Sequence, residues 1–301
     1  MNKSTVTTNI EVSDHLPNKS RRERHSLSLI FSTMTKLKIL VPVKRVLDYQ
    51  LKPLLNKTHT GIETQGAKFS CNPFDDIAIE EALQLKTKFP DLIESTHAVS
   101  IGTESNKDIL RNCLAKGIDS VTLIETPPSV DTTGSNIASS LEPLAVAKIL
   151  SKFVVDNGFN FVIMGKQAVD DDFNSTGQML AAMLRWPQAL NACKVDLDSR
   201  GESVTVTSES DGGETVVRAQ FPVVITTDLR LNQPRYVGLP KLMKVKRKPI
   251  PKLSIETDFK EVDVSNKLKV LSVDQPKQKA PGVIVKNVDE LVAKLKESRV
   301  I

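Results

Sequence analysis

Features that mark several common classes of protein are scarce in this 301-residue chain. Its three cysteines, Cys71, Cys113 and Cys193, are widely spaced and form no C-x-x-C pair, which argues against a disulfide framework or a zinc ribbon and for a reducing compartment. None of the four histidines forms an i, i+4 pair, so a helical zinc site is not indicated, and we predict no metal site. No apolar run approaches the ~20 residues that cross a bilayer, so we predict a chain that does not span a membrane.

Aromatic residues are also few, at 4% of the chain, and this bears on the net charge of +5. Basic residues concentrate in Arg21–Arg24 and Lys241–Lys248, and neither cluster is interleaved with aromatic side chains. A platform on which bases could stack is therefore not indicated, and we predict no binding of nucleic acid.

The composition that remains, 40% hydrophobic and 26% charged, is typical of a soluble globular protein. Apolar runs read as buried strands alternate along the chain with helical patterns, and this alternation predicts an α/β fold with a doubly wound, mostly parallel sheet. The predicted strands are Leu37–Val43, Thr96–Ile101, Ser120–Ile124, Phe159–Met164 and Val223–Thr227, and the predicted helices begin near Asn72 and span Lys107–Lys116, Glu142–Val155 and Met179–Leu184.

Shorter segments with alternating polarity predict a small antiparallel addition to this sheet, with a turn at Asp211-Gly212-Gly213. They are Cys193–Leu197, Ser203–Ser208 and Thr215–Gln220. The stretch from Gln50 to Lys68 has no clear period and is predicted to be a loop or an irregular hairpin.

The polar stretch Gly165–Gln178 lies between a predicted strand and a predicted helix, with Ser175 and Thr176 at the start of the helix. Unpaired amides and the helix dipole favour an anion at such a position, so the arrangement predicts a phosphate cradle. Gly165 and Gly177 would let the backbone approach a ligand closely, and Lys166 would supply a positive charge. The alternative is a charged surface loop with an ordinary helix cap.

Three consecutive acids, Asp170, Asp171 and Asp172, would repel a phosphate within that stretch. They suit better the hydroxyl groups of a ribose or the amino group of an adenine, or the capping of the helix start. Magnesium is disfavoured because the sequence shows no second carboxylate cluster.

The helix predicted after Asn72 carries acids that a helix dipole favours, namely Asp75, Asp76, Glu80 and Glu81. Asn72 itself suits an N-cap and Pro73 the first helical position, so this start is read as simply a capped helix. His97, within a predicted strand, is interpreted as a structural residue with satisfied hydrogen bonds.

Three domains or segments follow from these patterns. Residues 1–34 form an N-terminal extension that is disordered, serves targeting, or lies upstream of a working start at Met34. Residues 35–245 form the nucleotide-binding α/β domain. Residues 246–301 have little period before a final helix near Val288–Ser298, and they are predicted to form an arm that wraps a partner.

Five stretches resemble one family, the β subunit of electron transfer flavoprotein, in unbroken order from about Lys38 to the C-terminus. One is the polar stretch just described; the others are LVPVKRVLDY (40–49), NPFDDIAIEEALQLK (72–86), DLRLNQPRYVGLPKLMK (228–244) and APGVIV (280–285). Motifs of this length are specific. The chain is identified as a member of this family.

The resemblance implies a buried, structural AMP that is not turned over. Its pocket would be lined by Pro42, Asn72, Pro73, Phe74, Asp75, Ile101, Gly165, Lys166, Gln167, Ala168, Val169, Asp170, Asp171, Asp172, Phe173, Asn174, Ser175 and Thr176. It also implies an FAD held mainly by an α subunit in a heterodimer. Tyr49 and Phe74 match positions near that flavin, although each is equally an interface or core aromatic.

A second implied site is a recognition loop that docks acyl-CoA dehydrogenases. It comprises Arg235, Tyr236, Val237, Gly238, Leu239, Pro240, Lys241, Leu242, Met243 and Lys244, with Leu239 as an exposed apolar anchor and the basic residues steering the approach. The alternative is a basic loop on a solvated face. Lys244 matches a lysine that is methylated in some relatives, and Arg247 replaces the second such lysine.

The implied function is that of an electron carrier subunit in the mitochondrial matrix, serving fatty acid β-oxidation and amino acid catabolism. Electrons would come from acyl-CoA and other dehydrogenases and pass to a membrane-bound electron transfer flavoprotein–ubiquinone oxidoreductase. No Ser/His/Asp or Cys/His constellation is evident, so no catalytic residue is assigned. An adenine-nucleotide hydrolase or adenylating enzyme on the same type of sheet is the alternative.

Overall fold

A computed structural model of the chain describes residues 5–9, 36–276 and 281–301. The strands are β1 (Thr5–Asn9), β2 (Leu37–Pro42), β3 (Arg45–Leu47), β4 (Phe69–Cys71), β5 (Ile93–Gly102), β6 (Ser120–Glu125), β7 (Phe161–Gly165), β8 (Gln188–Leu197), β9 (Ser203–Ser210), β10 (Gly213–Gln220), β11 (Val223–Thr227) and β12 (Lys252–Ser254). The α-helices are α1 (Pro73–Lys88), α2 (Lys107–Lys116), α3 (Pro143–Asn157), α4 (Thr176–Leu184), α5 (Leu239–Val245), α6 (Ile255–Asp258) and α7 (Val288–Glu297). Short 3₁₀ turns occupy Glu104–Asn106 and Ile137–Ser139.

Ten of these strands form one sheet in the order β1-β10-β9-β8-β11-β7-β2-β5-β6-β12. The run from β8 through β11, β7, β2, β5 and β6 to β12 is parallel, whereas β9 pairs antiparallel with both β8 and β10. The predicted doubly wound, mostly parallel sheet with a small antiparallel addition is confirmed. Strands β3 and β4 form a separate antiparallel pair that flanks the predicted loop.

The parallel strands are buried on both faces, and each face has its own hydrophobic core. Successive residues of β2 point to opposite sides: Ile39 joins a core with Ala78 of α1 and Leu110 of α2, whereas Leu40 joins a core with Leu150 of α3. Helices α1 and α2 therefore cover one face of the sheet, and α3 and α4 cover the other.

The sheet order reverses between β2 and β7. From β2 the chain adds β5 and β6 on one side, and from β7 it adds β11 and β8 on the other. In open α/β sheets of this kind, the crevice at the carboxyl ends of the strands at such a switch point is where ligands bind. The topology thus directs attention to the ends of β2, at Pro42, and of β7, at Gly165.

The first part of the predicted arm packs on this chain's own sheet instead. β12 pairs with β6 and forms the edge of the sheet, and Ile255 and Phe259 are buried in the core that α3 and α4 share. The difference arises because a three-residue strand and a four-residue helix are too short to show a period. Farther along, α7 forms close to its predicted place and buries none of its residues.

Of residues 1–34, the structure describes only Thr5–Asn9, whose backbone pairs parallel with β10 at the sheet edge. The remaining expectations for that extension, including a start at Met34, lie outside the described residues. Across the described part of the chain, no helix combines the length and apolar character needed to cross a membrane.

Candidate functional site

The carboxyl ends of β2, β5 and β7 bring several of the sequence-predicted residues to one edge of the sheet. Pro42 ends β2 and is aligned with Val99 of β5, while Ile101 lies near the end of β5. Gly165 ends β7, and the polar loop follows it directly. The start of α1 meets the same edge, so residues far apart in sequence converge on the switch point.

Asp75 joins three of these segments through its carboxylate, which is 6% exposed. One oxygen accepts from the backbone amide of Lys44 at 2.7 Å, and the other accepts from the amide of Gly165 at 3.2 Å. Burial raises the pKa of Asp75 to about 7, although the amide of Lys44 and the neighbouring Asn72 oppose that rise. Asp75 therefore ties the ends of β2 and β7 to the start of α1.

Asn72 precedes α1, but its side chain does not cap the helix. The amide nitrogen donates to the backbone oxygen of Gln167 at 2.9 Å, and the amide oxygen accepts from the backbone of Val169 at 3.3 Å. The prediction of an ordinary side-chain cap is wrong. Asn72 is 1% exposed, and these two hydrogen bonds hold the polar loop against the start of α1.

A lysine just past the end of β2 neutralises the acidic run of the loop. The ammonium of Lys44 lies 2.8 Å from carboxylate oxygens of both Asp170 and Asp171. Burial would lower the pKa of Lys44, but the two acids outweigh it and raise the pKa. Asp172 accepts from the side-chain amide of Gln167 at 2.7 Å. The alternative that these acids cap α4 is wrong, since the N-cap is Ser175.

The backbone of the loop turns sharply before α4. Asp172 and Asn174 adopt φ angles of 50° and 47°, in the left-handed region that Asp and Asn tolerate better than most residues. Phe173 between them is exposed. The helix then begins at Thr176 as predicted, and Ser175 makes no side-chain cap hydrogen bond to its first amides. Those amides are the anion-binding groups that the sequence predicts.

Lys166 lies in the loop, and its charge is paired with an acid from another segment. Its ammonium pairs with Asp228, which follows β11, at 2.7 Å and sits 5.5 Å from the centre of the Phe74 ring. Hydrogen bonds from Lys166 and Arg230 hold the pKa of Asp228 below its usual value despite burial, which opposes them. A phosphate near α4 would therefore depend on backbone amides more than on this lysine.

At the two glycines predicted to allow a close ligand approach, other atoms of this chain fill the space that a side chain would need. A Cβ on Gly165 would lie 2.3 Å from a carboxylate oxygen of Asp75, and one on Gly177 would lie 2.5 Å from the methyl group of Thr226. Gly165 thus admits the Asp75 carboxylate, and Gly177 lets the start of α4 approach β11. Both positions thus require glycine for packing within the chain itself, and the close approach of a ligand stays a prediction.

The two aromatic residues that the sequence relates to the flavin differ in exposure. Phe74 is buried against the sheet at 7% exposure, whereas Tyr49 is 64% exposed. Of the two, only Tyr49 has a ring exposed at the surface. It lies at the rim of a cavity of about 650 Å³ that Pro234, Tyr236 and the start of α1 also line.

The segment Arg235–Lys244 contains a helix where a loop is expected. Gly238 occupies the N-cap of α5 and Pro240 lies in its first turn, where a missing N–H costs no hydrogen bond. Leu242 and Val245 pack on the core, while Leu239 and Met243 face outward with exposures of 69% and 59%.

Tyr236, just ahead of α5, is 90% exposed, and Lys241 and Lys244 are exposed as well. The segment therefore does present apolar side chains among basic ones, as the sequence predicts.

Two ion pairs beside the candidate sites escaped the sequence reasoning. Glu80, in the middle of α1, binds Arg235, and Asp228 binds Lys166. A signal existed for the first, because Glu80 and Glu81 sit between Ile77-Ala78-Ile79 and Ala82-Leu83, all of which are core residues. Two acids inside an apolar stretch need partners from elsewhere in the chain.

The fold and site define a class: a doubly wound α/β protein whose polar loop and two helix starts meet at the switch point of the sheet. The description "Electron transfer flavoprotein domain" belongs to the family model that matches residues 60–258. The chain therefore belongs to the electron transfer flavoprotein family, among its β subunits.

Three relatives illustrate how far the likeness extends. A probable electron transfer flavoprotein subunit beta of Saccharomyces cerevisiae is 59% identical over 270 residues, covering 90% of this chain and 100% of the relative. The mitochondrial electron transfer flavoprotein subunit beta of Arabidopsis thaliana is 46% identical over 260 residues, covering 86% and 98%. The subunit beta of Homo sapiens is 44% identical over 264 residues, covering 88% and 98%.

Proposed function

We propose that this chain is the β subunit of a heterodimeric electron transfer flavoprotein in the mitochondrial matrix. It takes part in carrying electrons from acyl-CoA and other dehydrogenases to a membrane-bound ubiquinone oxidoreductase. The observation that carries the proposal is the match over 90% of the chain to a relative described as a probable electron transfer flavoprotein subunit beta. The mitochondrial location is supported by the name of the Arabidopsis relative.

The crevice at the switch point is the proposed site of a structural AMP. The amides at the start of α4 would hold its phosphate, because Ser175 makes no side-chain cap there. The side chains around them are committed to one another: Asn72 holds the loop, Asp75 joins the strands, and Lys44 neutralises two acids. Such a preformed site suits a ligand that is retained rather than turned over.

The α subunit is the proposed holder of FAD, which supplies the redox chemistry. On this chain, the exposed ring of Tyr49 is the residue proposed to face the flavin, whereas buried Phe74 would support it through the core. The C-terminal residues offer a surface for the α subunit, since Val283, Ile284 and Leu291 are all exposed.

The segment Arg235–Lys244 is the proposed contact for dehydrogenases, and we call it the docking segment. Leu239 is exposed on α5 beside Met243, and Lys241 and Lys244 lie next to them. An apolar anchor surrounded by positive charge fits a partner that offers a pocket with an acidic rim.

Coexpression with an α subunit tests the proposal against a nucleotide hydrolase. The purified heterodimer should be yellow, should release about one AMP per chain on denaturation, and should accept electrons from a reduced acyl-CoA dehydrogenase. A hydrolase would instead convert added ATP and retain no stoichiometric nucleotide. A colourless complex without adenine nucleotide would contradict the proposal.

A further inference from the structure

The docking segment begins in a stretch of chain without regular structure. Between the end of β11 at Thr227 and the start of α5 at Leu239, no helix or strand forms among the described residues. Helix α1 supplies side chains that bind this stretch at two points. Its two buried acids, Glu80 and Glu81, face the stretch and are 4% and 6% exposed.

Arg235 is held by Glu80 through three hydrogen bonds. Its guanidinium donates Nε to one carboxylate oxygen at 2.7 Å and Nη2 to the other at 2.9 Å. Its backbone amide donates to the same carboxylate at 3.1 Å. One acid thus fixes both the side chain and the main chain of Arg235, and a paired fork of this kind defines orientation as well as distance.

Two further contacts support this clamp. Gln84, one turn along α1, donates to the second oxygen of Glu80 at 3.0 Å. Burial would raise the pKa of Glu80, but the bonds from Arg235 and Gln84 outweigh it and hold the pKa below its usual value. Asn232 donates to Glu81 at 3.0 Å and to the backbone oxygen of Ile77 at 3.1 Å. These bonds anchor the stretch to α1 at a second point, ahead of Arg235.

The residues after Arg235 divide between those that face solvent and those that pack on the core. Beyond Arg235 the chain alternates, with Tyr236 90% exposed and Val237 buried in the core. Leu242 and Val245 then seat α5, which packs against α2. With both ends seated, Leu239 and Met243 project from the opposite face of the helix.

We propose that Glu80 is a positioning residue for electron transfer: by clamping Arg235 it holds the docking segment in the conformation that displays Leu239 to a dehydrogenase. This rests on the proposed function of the segment. Glu80 touches neither the partner nor a cofactor, and it acts through Arg235.

The test compares heterodimers carrying Glu80→Gln, Leu239→Ala and both changes. Glutamine keeps the size of the side chain but replaces one acceptor oxygen with an amide nitrogen, so the fork is lost. KM for the reduced dehydrogenase should rise about tenfold in Glu80→Gln, with little change in kcat. The reason is that losing one hydrogen bond between charged groups changes an equilibrium constant by about tenfold. The double variant should match Leu239→Ala within about twofold, since misplacing an absent anchor has no further effect.

Lys86→Gln is the matched control, because Lys86 also forms an ion pair from α1, at 2.5 Å from Asp119, away from the docking segment. Its KM should equal that of the unchanged protein. If Glu80→Gln behaves like Lys86→Gln, or if its effect adds fully to that of Leu239→Ala, the positioning role is overturned.

A second readout does not depend on docking. Tryptic cleavage after Arg235, Lys241 and Lys244 should be several times faster in Glu80→Gln than in Lys86→Gln, at equal AMP content. Faster cleavage with a silent Leu239→Ala would mean that the clamp exists and the docking function is wrong. Unchanged cleavage would overturn the clamp itself.

Discussion

Asp75 accepts a hydrogen bond from the backbone amide of Gly165, although 90 residues separate the two in the chain. Glycine is required for this contact because a Cβ at position 165 would come within 2.3 Å of the carboxylate and 2.7 Å of the Cβ of Phe74. The same carboxylate also binds the end of β2. A single pair thus couples the start of α1 to the two strands at the switch point.

Gly165→Ala should therefore destabilise the protein by about 1–3 kcal/mol, the usual effect of forcing a methyl group into a filled core. Thermal unfolding of the purified heterodimer measures this as a lowered Tm. Gly212→Ala is the control, because a Cβ there meets nothing within 4 Å. Equal Tm values for the two variants would mean that the Asp75 side chain can move aside for the methyl group without loss of stability.

Asp75 should also leave a mark on the pH dependence of stability. Burial raises its pKa from 3.8 to about 7, so between those values the folded protein holds a proton that the unfolded chain releases. The stability that protonated Asp75 contributes to the folded protein is fully present below pH 3.8 and is lost as the pH rises through 7. Asp75→Asn, which cannot titrate, should become more stable relative to the unchanged protein as the pH rises over this interval. Denaturant unfolding at several pH values measures the difference, and a constant difference would contradict the prediction.

For His97 we expect the opposite pH dependence of stability: its contribution should fall as the pH falls. Its ring nitrogens lie 2.7 Å from Ser120 Oγ and 3.0 Å from Thr122 Oγ1, and its ring packs on Phe153 and Phe159. Burial lowers its pKa from 6.5 to about 4, so the unfolded chain binds a proton first.

The stability that neutral His97 provides is thus present above pH 6.5 and is lost as the pH falls toward 4. His97→Gln should flatten this acid limb of the unfolding curve, since glutamine can replace the hydrogen bonds but binds no proton. A variant whose acid limb stays as steep would show that other groups are responsible.

The sequence predicts the sheet better than the site, for a physical reason. Buried strands and amphipathic helices repeat a local pattern, so elements such as Lys107–Lys116, with Gly117 after it at a φ of 123°, are readable from neighbours in sequence. The partners of Asn72, Asp75 and Glu80 come from segments that only the fold brings near. An asparagine before Pro73 looks the same whether it caps its helix or holds a distant loop.

Asn72 is the test of the loop. Asn72→Ala removes both hydrogen bonds that hold Gln167 and Val169 against α1. We expect the AMP content to fall about tenfold, because part of the binding free energy would then be spent on ordering the loop. Nucleotide released on denaturation is quantified by chromatography. Asn56→Ala, which removes an asparagine bound to Ser135 in another loop, should retain AMP fully. Equal AMP content in the two variants would exclude a role for the tether.

Two truncations separate folding from assembly at the C-terminus. A chain ending at Lys246 lacks β12 and the buried residues Ile255 and Phe259, so it should fail to fold. A chain ending at Leu268 keeps them, together with the hydrogen bonds of Lys267 and Leu268 to Glu142, and should fold. It should nevertheless bind the α subunit poorly. Gel filtration with the α subunit measures this, and full heterodimer formation by the chain ending at Leu268 would place the interface elsewhere.

Substitution of Leu239 tests the docking proposal most directly. It is 69% exposed at the start of α5, and burying a leucine in a partner's pocket contributes roughly 2 kcal/mol. Leu239→Ala should therefore weaken partner affinity at least about tenfold, with FAD and AMP content unchanged. Stopped-flow reduction of the flavin by a reduced acyl-CoA dehydrogenase measures it.

Lys244→Gln should act differently on the same assay. Its side chain is exposed on α5, so its charge steers the approach instead of filling a pocket. The variant should lower mainly the association rate, and the deficit should shrink as salt screens the charge over about 10 Å at 0.1 M. Leu239→Ala is the internal control, because an apolar contact keeps its deficit in salt. If Leu239→Ala transfers electrons normally while Lys244→Gln does not, approach is steered by charge alone and α5 inserts no anchor.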